Sequence, residues 1–272
     1  MKQKLVILFS IFLIIGLSFY CLFIEPENLK VTNYTIKDDR LSGLKVVFAS
    51  DFHIKPKHEK QLEKVVNLIN SQEADIVLSA GDFVNGHTKK STMPPSEIAK
   101  GLGKVKSKQG FYATLGNHDG WYDAKIVKKE LEANGIKVLE NDNVSIKIND
   151  KEIFIAGLED IMTGEPNVYL ALEKTKSPVI MLTHTPDMFP KIPYEVNLTL
   201  AGHTHGGQVR LPIFGPLFTA SDYHDKYAKG LIEEDGRKMI VTTGVGTSIL
   251  PIRFNCPPEI VVINFEKKDS TK

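Results

Sequence analysis

Five apolar runs of strand length stand out between residues 44 and 203. They read LKVVFAS, ADIVLSAG, GFYATLG, PVIMLTH and VNLTLAGH. Such β-branched, largely continuous apolar runs are typical of strands that are buried on both faces. Helical patterns follow the first three runs, at about residues 57–70, 96–108 and 124–134. This alternation of strands and helices predicts an α/β fold with a parallel sheet covered by helices.

The pattern changes after residue 140, where two β-hairpins are predicted. VSIKIND and KEIFIAGL would be joined at Asn149-Asp150, and YAKGLIEE and GRKMIVTTG at Asp235-Gly236. The pattern therefore indicates two packed sheets, one mostly parallel and one more antiparallel, with helices outside.

Residues 5–24 form a stretch of about 20 residues without a charge, long enough to span a hydrocarbon core of about 30 Å. The alternatives are a buried helix and a cleaved signal peptide. No cleavage site of small residues lies near residues 18–23, which favours an uncleaved membrane anchor. Lysines precede the span and glutamates follow it, but Lys30, Lys37 and Arg40 lie just beyond. We expect a single-pass cell-membrane protein whose domain lies outside the cytoplasm. A domain on the cytoplasmic face is the alternative.

The remaining sequence is ordinary for a globular protein. Residues 25–43 are interpreted as a polar tether that leads into an edge strand, and residues 44–272 as one catalytic domain. With a formal net charge of +1, the chain lacks the excess of positive charge that is typical of proteins that bind nucleic acid. Of the two cysteines, Cys21 lies inside the apolar segment, so we expect no disulfide with Cys256. We expect a monomer.

Each of the five runs is followed by side chains that can bind a metal ion. They are Asp51 and His53, then Asp82, then Asn117, His118 and Asp119, then His184, and last His203 and His205. The carboxyl ends of strands in open α/β sheets are where ligand crevices form. Carboxylate, imidazole and amide ligands without thiolate suit Mn, Fe, Zn or Mg. Taken singly, each group also fits a polar turn or a helix cap. Their recurrence at five strand ends favours a metal site.

These motifs resemble those of a known family. DFH at 51–53, GD at 81–82, GNHD at 116–119, His184 and GHTH at 202–205 look like the calcineurin-like metallophosphoesterases, over about residues 44–265. The resemblance implies an α/β/β/α sandwich of two sheets between helices. AGHTHGGQVRLP, YAKGL and TTGVGTSILPIRFNCPPEI, together with the apolar N-terminus, resemble a membrane-associated bacterial branch. Some members of that branch are pyrophosphatases that act on UDP-2,3-diacylglucosamine in lipid A synthesis.

The resemblance also implies two divalent metal ions, with Mn favoured. The first would be held by Asp51, His53, Asp82 and His205, and the second by Asp82, Asn117, His184 and His203. Asp82 would then bridge two ions roughly 3.5–4 Å apart. A hydroxide shared by the ions would attack phosphorus in line, without a covalent phosphoenzyme.

His118 is not needed as a ligand, and we expect it to act as a general acid or as an electrostatic stabiliser. Many relatives read GDxxD, where the second Asp orients this histidine. This chain has Asn85 at that position, which can accept a hydrogen bond through its amide oxygen but carries no charge. Asp119 is the candidate to replace the missing carboxylate.

Three further features concern the substrate. Trp121 and Tyr122 either stack on a base, line an acyl channel or pack under their loop. The segment LPIFGPLF at 211–218 is apolar and interrupted by Pro and Gly. We favour packing onto the core for this segment, with contact to a bilayer as the alternative. Substrate choice is assigned to loops 86–97, 120–125 and 206–223, with His87 on the pocket rim.

The preferred function is a membrane-anchored phosphoesterase or pyrophosphatase with a phosphoester substrate that is lipid-linked. A general phosphodiesterase, nucleotidase or phosphoprotein phosphatase remains open. A binding scaffold without catalysis is disfavoured, because the full set of candidate ligands is present.

Overall fold

The computed structural model describes residues 2–86, 88–148 and 151–269. The strands are, in chain order, β1 (Lys30–Lys37), β2 (Lys45–Phe48), β3 (Ile76–Ser79), β4 (Phe111–Ala113), β5 (Ile136–Val138), β6 (Asp142–Ile148), β7 (Lys151–Gly157), β8 (Val179–Thr183), β9 (Leu198–Ala201), β10 (Arg210–Leu211), β11 (Gly215–Pro216), β12 (Gly230–Glu234), β13 (Arg237–Val241) and β14 (Glu259–Glu266). The α-helices are α1 (Lys2–Phe19), α2 (Glu59–Asn70), α3 (Pro95–Leu102), α4 (Asn117–Ala133) and α5 (Val168–Ala171).

Twelve of these strands form two six-stranded sheets. The first has the order β1-β14-β2-β3-β4-β5, and the second β12-β13-β9-β8-β7-β6. In the first sheet only the pair β14 and β2 is antiparallel. The second sheet is parallel from β13 to β7 and antiparallel at its two edges, where β12 pairs with β13 and β6 with β7. The predicted antiparallel character is therefore confined to the edges of the second sheet.

The main core lies between the two sheets. It joins residues such as Phe48 and Leu78 of the first sheet to Ile155 and Leu182 of the second, all fully buried. Burying each such side chain contributes about 1.5–3 kcal/mol. Helices α2, α3 and α4 cover the outer face of the first sheet, and α5 packs on the outer face of the second. The expected α/β/β/α sandwich is confirmed.

The helix and hairpin predictions are confirmed with changed bounds. Helix α3 ends at Leu102 rather than near residue 108. Helix α4 begins at Asn117, seven residues earlier than expected, and extended backbone at Asp123 interrupts it. GNHD therefore lies in the first turn of a helix. The turn at Asp235-Gly236 has positive φ at both residues, as a type I′ turn requires; the turn predicted at Asn149-Asp150 lies outside the described residues.

The N-terminal helix is exposed along its whole length. The helical segment Lys2–Glu27 contains an 18-residue stretch with a mean hydropathy of 2.7, and it is long and apolar enough to cross a membrane. The predicted tether over residues 25–43 is wrong in part, because residues 30–37 form the edge strand β1, which pairs in parallel with β14 and belongs to the first sheet. Cys21 and Cys256 are both free thiols, as predicted.

Candidate active site

The seven candidate metal ligands converge at one edge of the sandwich. Strands β2, β3 and β4 are neighbours in the first sheet, and β8 and β9 are neighbours in the second. Their carboxyl ends point to the same edge, so the residues that follow them meet there. Six of the seven side chains are buried, and His203 is partly exposed.

One group of ligand atoms lies around His53. Its Nε2 is 3.0 Å from His205 Nε2 and 3.4 Å from Asp82 Oδ2. Asp51 Oδ1 lies 3.8 Å from His205 Nε2. Atoms at these separations can bind a single cation.

A second group lies on the other side of Asp82. His184 Nε2 is 2.8 Å from Asn117 Oδ1, 3.1 Å from His203 Nδ1 and 3.3 Å from Asp82 Oδ2. Asp82 Oδ2 thus faces a histidine of each group, while Oδ1 accepts a 2.8 Å hydrogen bond from the main-chain N–H of His118. A carboxylate that faces two ligand groups is the arrangement that a shared metal bridge requires.

The donor set fits divalent ions. Asp51 Oδ2 is buried without a hydrogen-bond partner among the described residues, which is costly for a carboxylate unless a cation is bound. His184 donates from Nδ1 to the main-chain oxygen of Ala80 at 2.8 Å, so its Nε2 faces the ligand group. Such an outer hydrogen bond is the usual way in which a metal-binding histidine is oriented.

The side chains of the cluster have strongly shifted pKa values. Burial lowers the pKa of His53 to about 3 and that of His203 to about 4. Burial also opposes charge on His184, but Asp82 and Asp51 outweigh it and raise the pKa of His184 to about 10. The positive charge on His184 in turn holds the pKa of Asp82 below its usual range despite burial. Ligand binding by His184 requires loss of its proton, so metal uptake is coupled to proton release.

Five candidate ligands have left-handed backbone, which non-glycine residues rarely adopt. These are Asp51, His53, Asp82, His203 and His205, with φ between 43° and 69°. Each such conformation costs of order 1–3 kcal/mol and persists because the surrounding structure enforces it. The main-chain N–H of His53 donates to Asp82 O at 3.0 Å, which ties two of these turns together.

Two glycines allow the close approach of backbone to the ligands. A Cβ atom on Gly116 would lie 2.2 Å from Asp82 Oδ1, and one on Gly202 would lie 2.4 Å from Asp51 Oδ2. Both distances are far inside van der Waals contact. Side chains at these positions would displace the carboxylates.

His118 is oriented by Asn85, but through the main chain. His118 Nδ1 lies 2.7 Å from the main-chain oxygen of Asn85. The Asn85 amide instead donates to Ser91 O at 3.0 Å, inside its own loop. The expected hydrogen bond through the amide oxygen is therefore wrong. Because a carbonyl can only accept, His118 carries its proton on Nδ1 and turns Nε2 towards Ser248 Oγ, 3.4 Å away.

Asp119 binds main chain and not the imidazole. Its Oδ2 accepts from the N–H groups of Asp82 (2.8 Å) and Gly116 (3.0 Å), and its Oδ1 from those of Phe83 (2.9 Å) and Val84 (3.1 Å). The carboxylate is fully buried in this arrangement. It fixes the turn that carries Asp82, so the predicted replacement of the missing family carboxylate is not what the structure shows.

A cavity of about 310 Å³ opens above the ligands. Its floor contains Asp82, Asn117, His118, His203 and His205. Its rim consists of Trp121, Met162, Phe218 and Ile249. Segments 120–125 and 206–223 both line the cavity as expected, but residues 120–125 lie in helix α4 and not in a loop. Tyr122 packs on the core. No motif marks Met162, and the string TTGVGTSILPIRFNCPPEI contains Ser248 and Ile249 without predicting a place for them at the site. His87 lies outside the described residues.

The preferred interpretation of LPIFGPLF is wrong. Strands β10 and β11 pair as a short hairpin that projects from the domain. Ile213 at its tip is fully exposed, and Phe214 is 83% exposed. Two-residue strands do not reach back to the core, so these side chains face outward.

Comparisons with known proteins agree with this geometry. A family model described as calcineurin-like phosphoesterase matches residues 44–207. The chain is 32% identical over 257 residues to the metallophosphoesterase YkuE of Bacillus subtilis, covering 91% of this chain and 89% of that relative. It is 29% identical over 255 residues to the phosphodiesterase YaeI of Escherichia coli, covering 91% of each.

The fold is shared with a solved structure. NAD nucleotidase (NadN) of Haemophilus influenzae superimposes with a TM-score of 0.52 at 14% identity, over 75% of this chain and 50% of that one. Identity this low shows the fold alone. With the family match and the similar relatives, it follows that the chain belongs to the calcineurin-like phosphoesterase family and is a metal-dependent hydrolase of phosphoester bonds.

Proposed function

We propose that the chain holds two divalent ions, with Mn²⁺ favoured, and hydrolyses a phosphoester or phosphoanhydride of a lipid-linked substrate. Asp51, His53, Asp82 and His205 would hold one ion, and Asp82, Asn117, His184 and His203 the other. The observation that supports two ions is the position of Asp82 Oδ2, 3.4 Å from His53 Nε2 and 3.3 Å from His184 Nε2.

Two bound ions would supply Lewis acidity and a water nucleophile that is available at neutral pH. The chain supplies the remaining chemistry. His118 lies on the cavity floor, with its ring 4.5 Å from that of His53. Its hydrogen bond to Asn85 O directs Nε2 away from the loop, where it can contact a phosphoryl oxygen or the leaving group. Either role requires a proton on Nε2, because only an N–H group can donate to those oxygens.

The rim supports a lipid-linked leaving group. Trp121, Met162, Phe218 and Ile249 are apolar and exposed around a floor that is polar. A site for a nucleotide or a phosphoprotein would be expected to contain more hydrogen-bonding groups than this rim provides. Helix α1 would anchor the chain in the cell membrane, with the domain on the extracytoplasmic side. UDP-2,3-diacylglucosamine is the substrate that the family resemblance suggests.

A substrate panel tests this proposal. The full chain, reconstituted in vesicles with Mn²⁺, is given UDP-2,3-diacylglucosamine, other lipid-linked phosphates, soluble nucleotides and an aryl phosphodiester. We expect the highest kcat/KM with a lipid-linked compound. Higher kcat/KM with nucleotides would favour a general phosphodiesterase or nucleotidase, and metal binding without any turnover would favour a scaffold. Protease accessibility in intact cells assigns the side of the membrane.

A further inference from the structure

We propose that the hairpin tip and a second apolar loop form one membrane-contact surface beside the cavity. This surface, called the apolar apron below, consists of Ile213, Phe214, Leu217, Phe218, Ile249 and Leu250. The occupant is the hydrocarbon boundary of the bilayer in which helix α1 resides. This inference rests on the proposed membrane attachment and extends it to the mouth of the active site.

The apron is apolar and without charge. Segments 211–218 and 248–252 read LPIFGPLF and SILPI, with no Lys, Arg, Asp or Glu. Ile213 is fully exposed and Ile249 is 90% exposed. Contiguous exposed apolar side chains of this kind mark contact surfaces rather than ordinary solvent-facing loops.

The backbone conformation at the tips of the hairpin and of loop 248–252 also indicates that their side chains contact another surface. Ile213 has φ of 73° and Ile249 has φ of 59°. Left-handed backbone is unfavourable for β-branched residues and suits Gly or Asn. Neither isoleucine gains packing on the described part of the chain that offsets this cost, because both side chains are almost fully exposed. The compensating contact therefore lies outside the chain.

The end of the N-terminal helix identifies that contact as lipid. The main-chain N–H of Arg253 donates to Cys21 O at 3.0 Å, and that of Cys256 donates to Glu25 Oε1 at 2.6 Å. Glu25 is buried, although it directly follows the apolar helix. Segment 253–256 thus binds the helix where it leaves its apolar stretch, and it lies three residues beyond Leu250.

The hairpin is bound to the same segment. Val209 forms a parallel bridge with Phe254, and the main-chain N–H of Arg210 donates to Phe254 O at 2.9 Å. Three residues of chain span at most about 11 Å. The helix end, the hairpin and loop 248–252 are therefore held together by one short segment. A second copy of the chain or a partner protein has no such tie to the helix.

The single tryptophan of the chain reports on this surface, because Trp121 lies on the cavity rim. The full chain is reconstituted in vesicles of phosphatidylcholine with brominated acyl chains, which quench tryptophan in contact with the bilayer. We expect strong quenching of Trp121 fluorescence. Ile213→Asp should reduce this quenching, and Ile213→Leu should retain it.

The matched control is Tyr194→Asp. Tyr194 is also exposed, but it precedes strand β9 and so lies near the edge of the sheet opposite the site. It should leave the quenching unchanged. The same variants are assayed with a bilayer-embedded phosphoester and with a soluble aryl phosphodiester. Loss of one buried isoleucine contact corresponds to an about tenfold weaker interaction with the bilayer. Ile213→Asp should therefore lower kcat/KM about tenfold for the embedded substrate only.

The outcomes separate this inference from the proposed function. Absence of quenching in the unsubstituted chain overturns the apron, and a dimer in the vesicles would then assign the surface to a second copy. Equal quenching in the unsubstituted chain and in Ile213→Asp also overturns it. Quenching that depends on Ile213, without hydrolysis of any lipid-linked compound, supports the apron and contradicts the proposed substrate.

Discussion

The floor and the rim of the cavity are built in opposite ways. The floor is polar, mostly buried and formed by residues directly after strands, several of them held in left-handed backbone. The rim is apolar, exposed and carried by helix α4 and three separate loops. The floor is therefore fixed by the sandwich, whereas the rim is freer to vary. In the proposed function the floor would carry out the reaction and the rim would select the group attached to the phosphoryl group.

The severest test of the floor is Asp82→Asn. This variant keeps the shape of the side chain but removes the negative charge that both ligand groups share. We expect hydrolysis of an aryl phosphodiester to fall at least about 10⁴-fold, since metal stabilisation of the transition state is worth several kcal/mol, and elemental analysis should find less metal. Asp75→Asn, a buried carboxylate at the amino end of the same strand, is the control. A fully metallated, active Asp82→Asn variant would contradict two-ion binding.

Replacement of His118 by Ala should leave the metal content unchanged. Its side chain lies on the floor but is not among the proposed ligands. We expect kcat to fall about 10²–10³-fold, as for loss of a stabilising or proton-donating group. His58→Ala, at the start of helix α2, is the control and should retain full activity. Metal loss in His118→Ala would make His118 a ligand instead.

Gly116→Ala tests how tightly the floor is packed. The added Cβ would meet Asp82 Oδ1 at 2.2 Å and His184 Cε1 at 2.7 Å. Misplacement by about 1 Å costs about 10²-fold in rate, so we expect a loss of that size with weaker metal binding. Gly16→Ala, where a Cβ would have no neighbour within 4 Å, should have no effect on the site. Normal activity in Gly116→Ala would show that the floor is not rigid.

Phe218→Ala tests the rim. Phe218 lines the cavity and is largely exposed. We expect KM for a lipid-linked substrate to rise about tenfold through lost apolar contact, with unchanged hydrolysis of the aryl phosphodiester. The control is Tyr194→Ala. An equal loss with both substrates would mean that Phe218 acts in the reaction itself, and it would contradict the separate roles of floor and rim.

The smallest effect is expected from Asn85→Ala. Because the main-chain oxygen of Asn85 orients His118, activity should change less than about threefold. Loss of the hydrogen bond from the Asn85 side-chain amide to Ser91 O should lower the free energy of unfolding by about 1 kcal/mol. Steady-state kinetics and chemical denaturation measure the two quantities. A loss comparable to that of His118→Ala would restore a catalytic role for the Asn85 side chain.

Much of the fold and floor could be predicted because their signals are local. Apolar runs identify the strands, and the residues that follow them share one edge of each sheet, so Asp51 and His184 could be brought together from sequence. Contacts of Asp119 with four N–H groups could not be predicted, because they depend on how two loops fold against each other. Ile249 and Ser248 reach the cavity from a distant loop, and nothing in the string TTGVGTSILPIRFNCPPEI predicts that contact. The prediction that LPIFGPLF packs on the core is wrong because apolar composition alone does not distinguish core contact from exposed surface.

The hydrogen bond between Glu25 and Cys256 has a consequence for how the chain would meet its substrate. Cys256 also lies 3.4 Å from the main-chain oxygen of His205 through Sγ, so only two short contacts separate the end of the helix from a candidate ligand. A domain on a long flexible linker samples many heights and tilts above a bilayer. Here the helix, once inserted, would hold the cavity at one constant height above the bilayer while the protein diffuses laterally. Substrates would then be selected by the distance between their scissile bond and the hydrocarbon region of the bilayer.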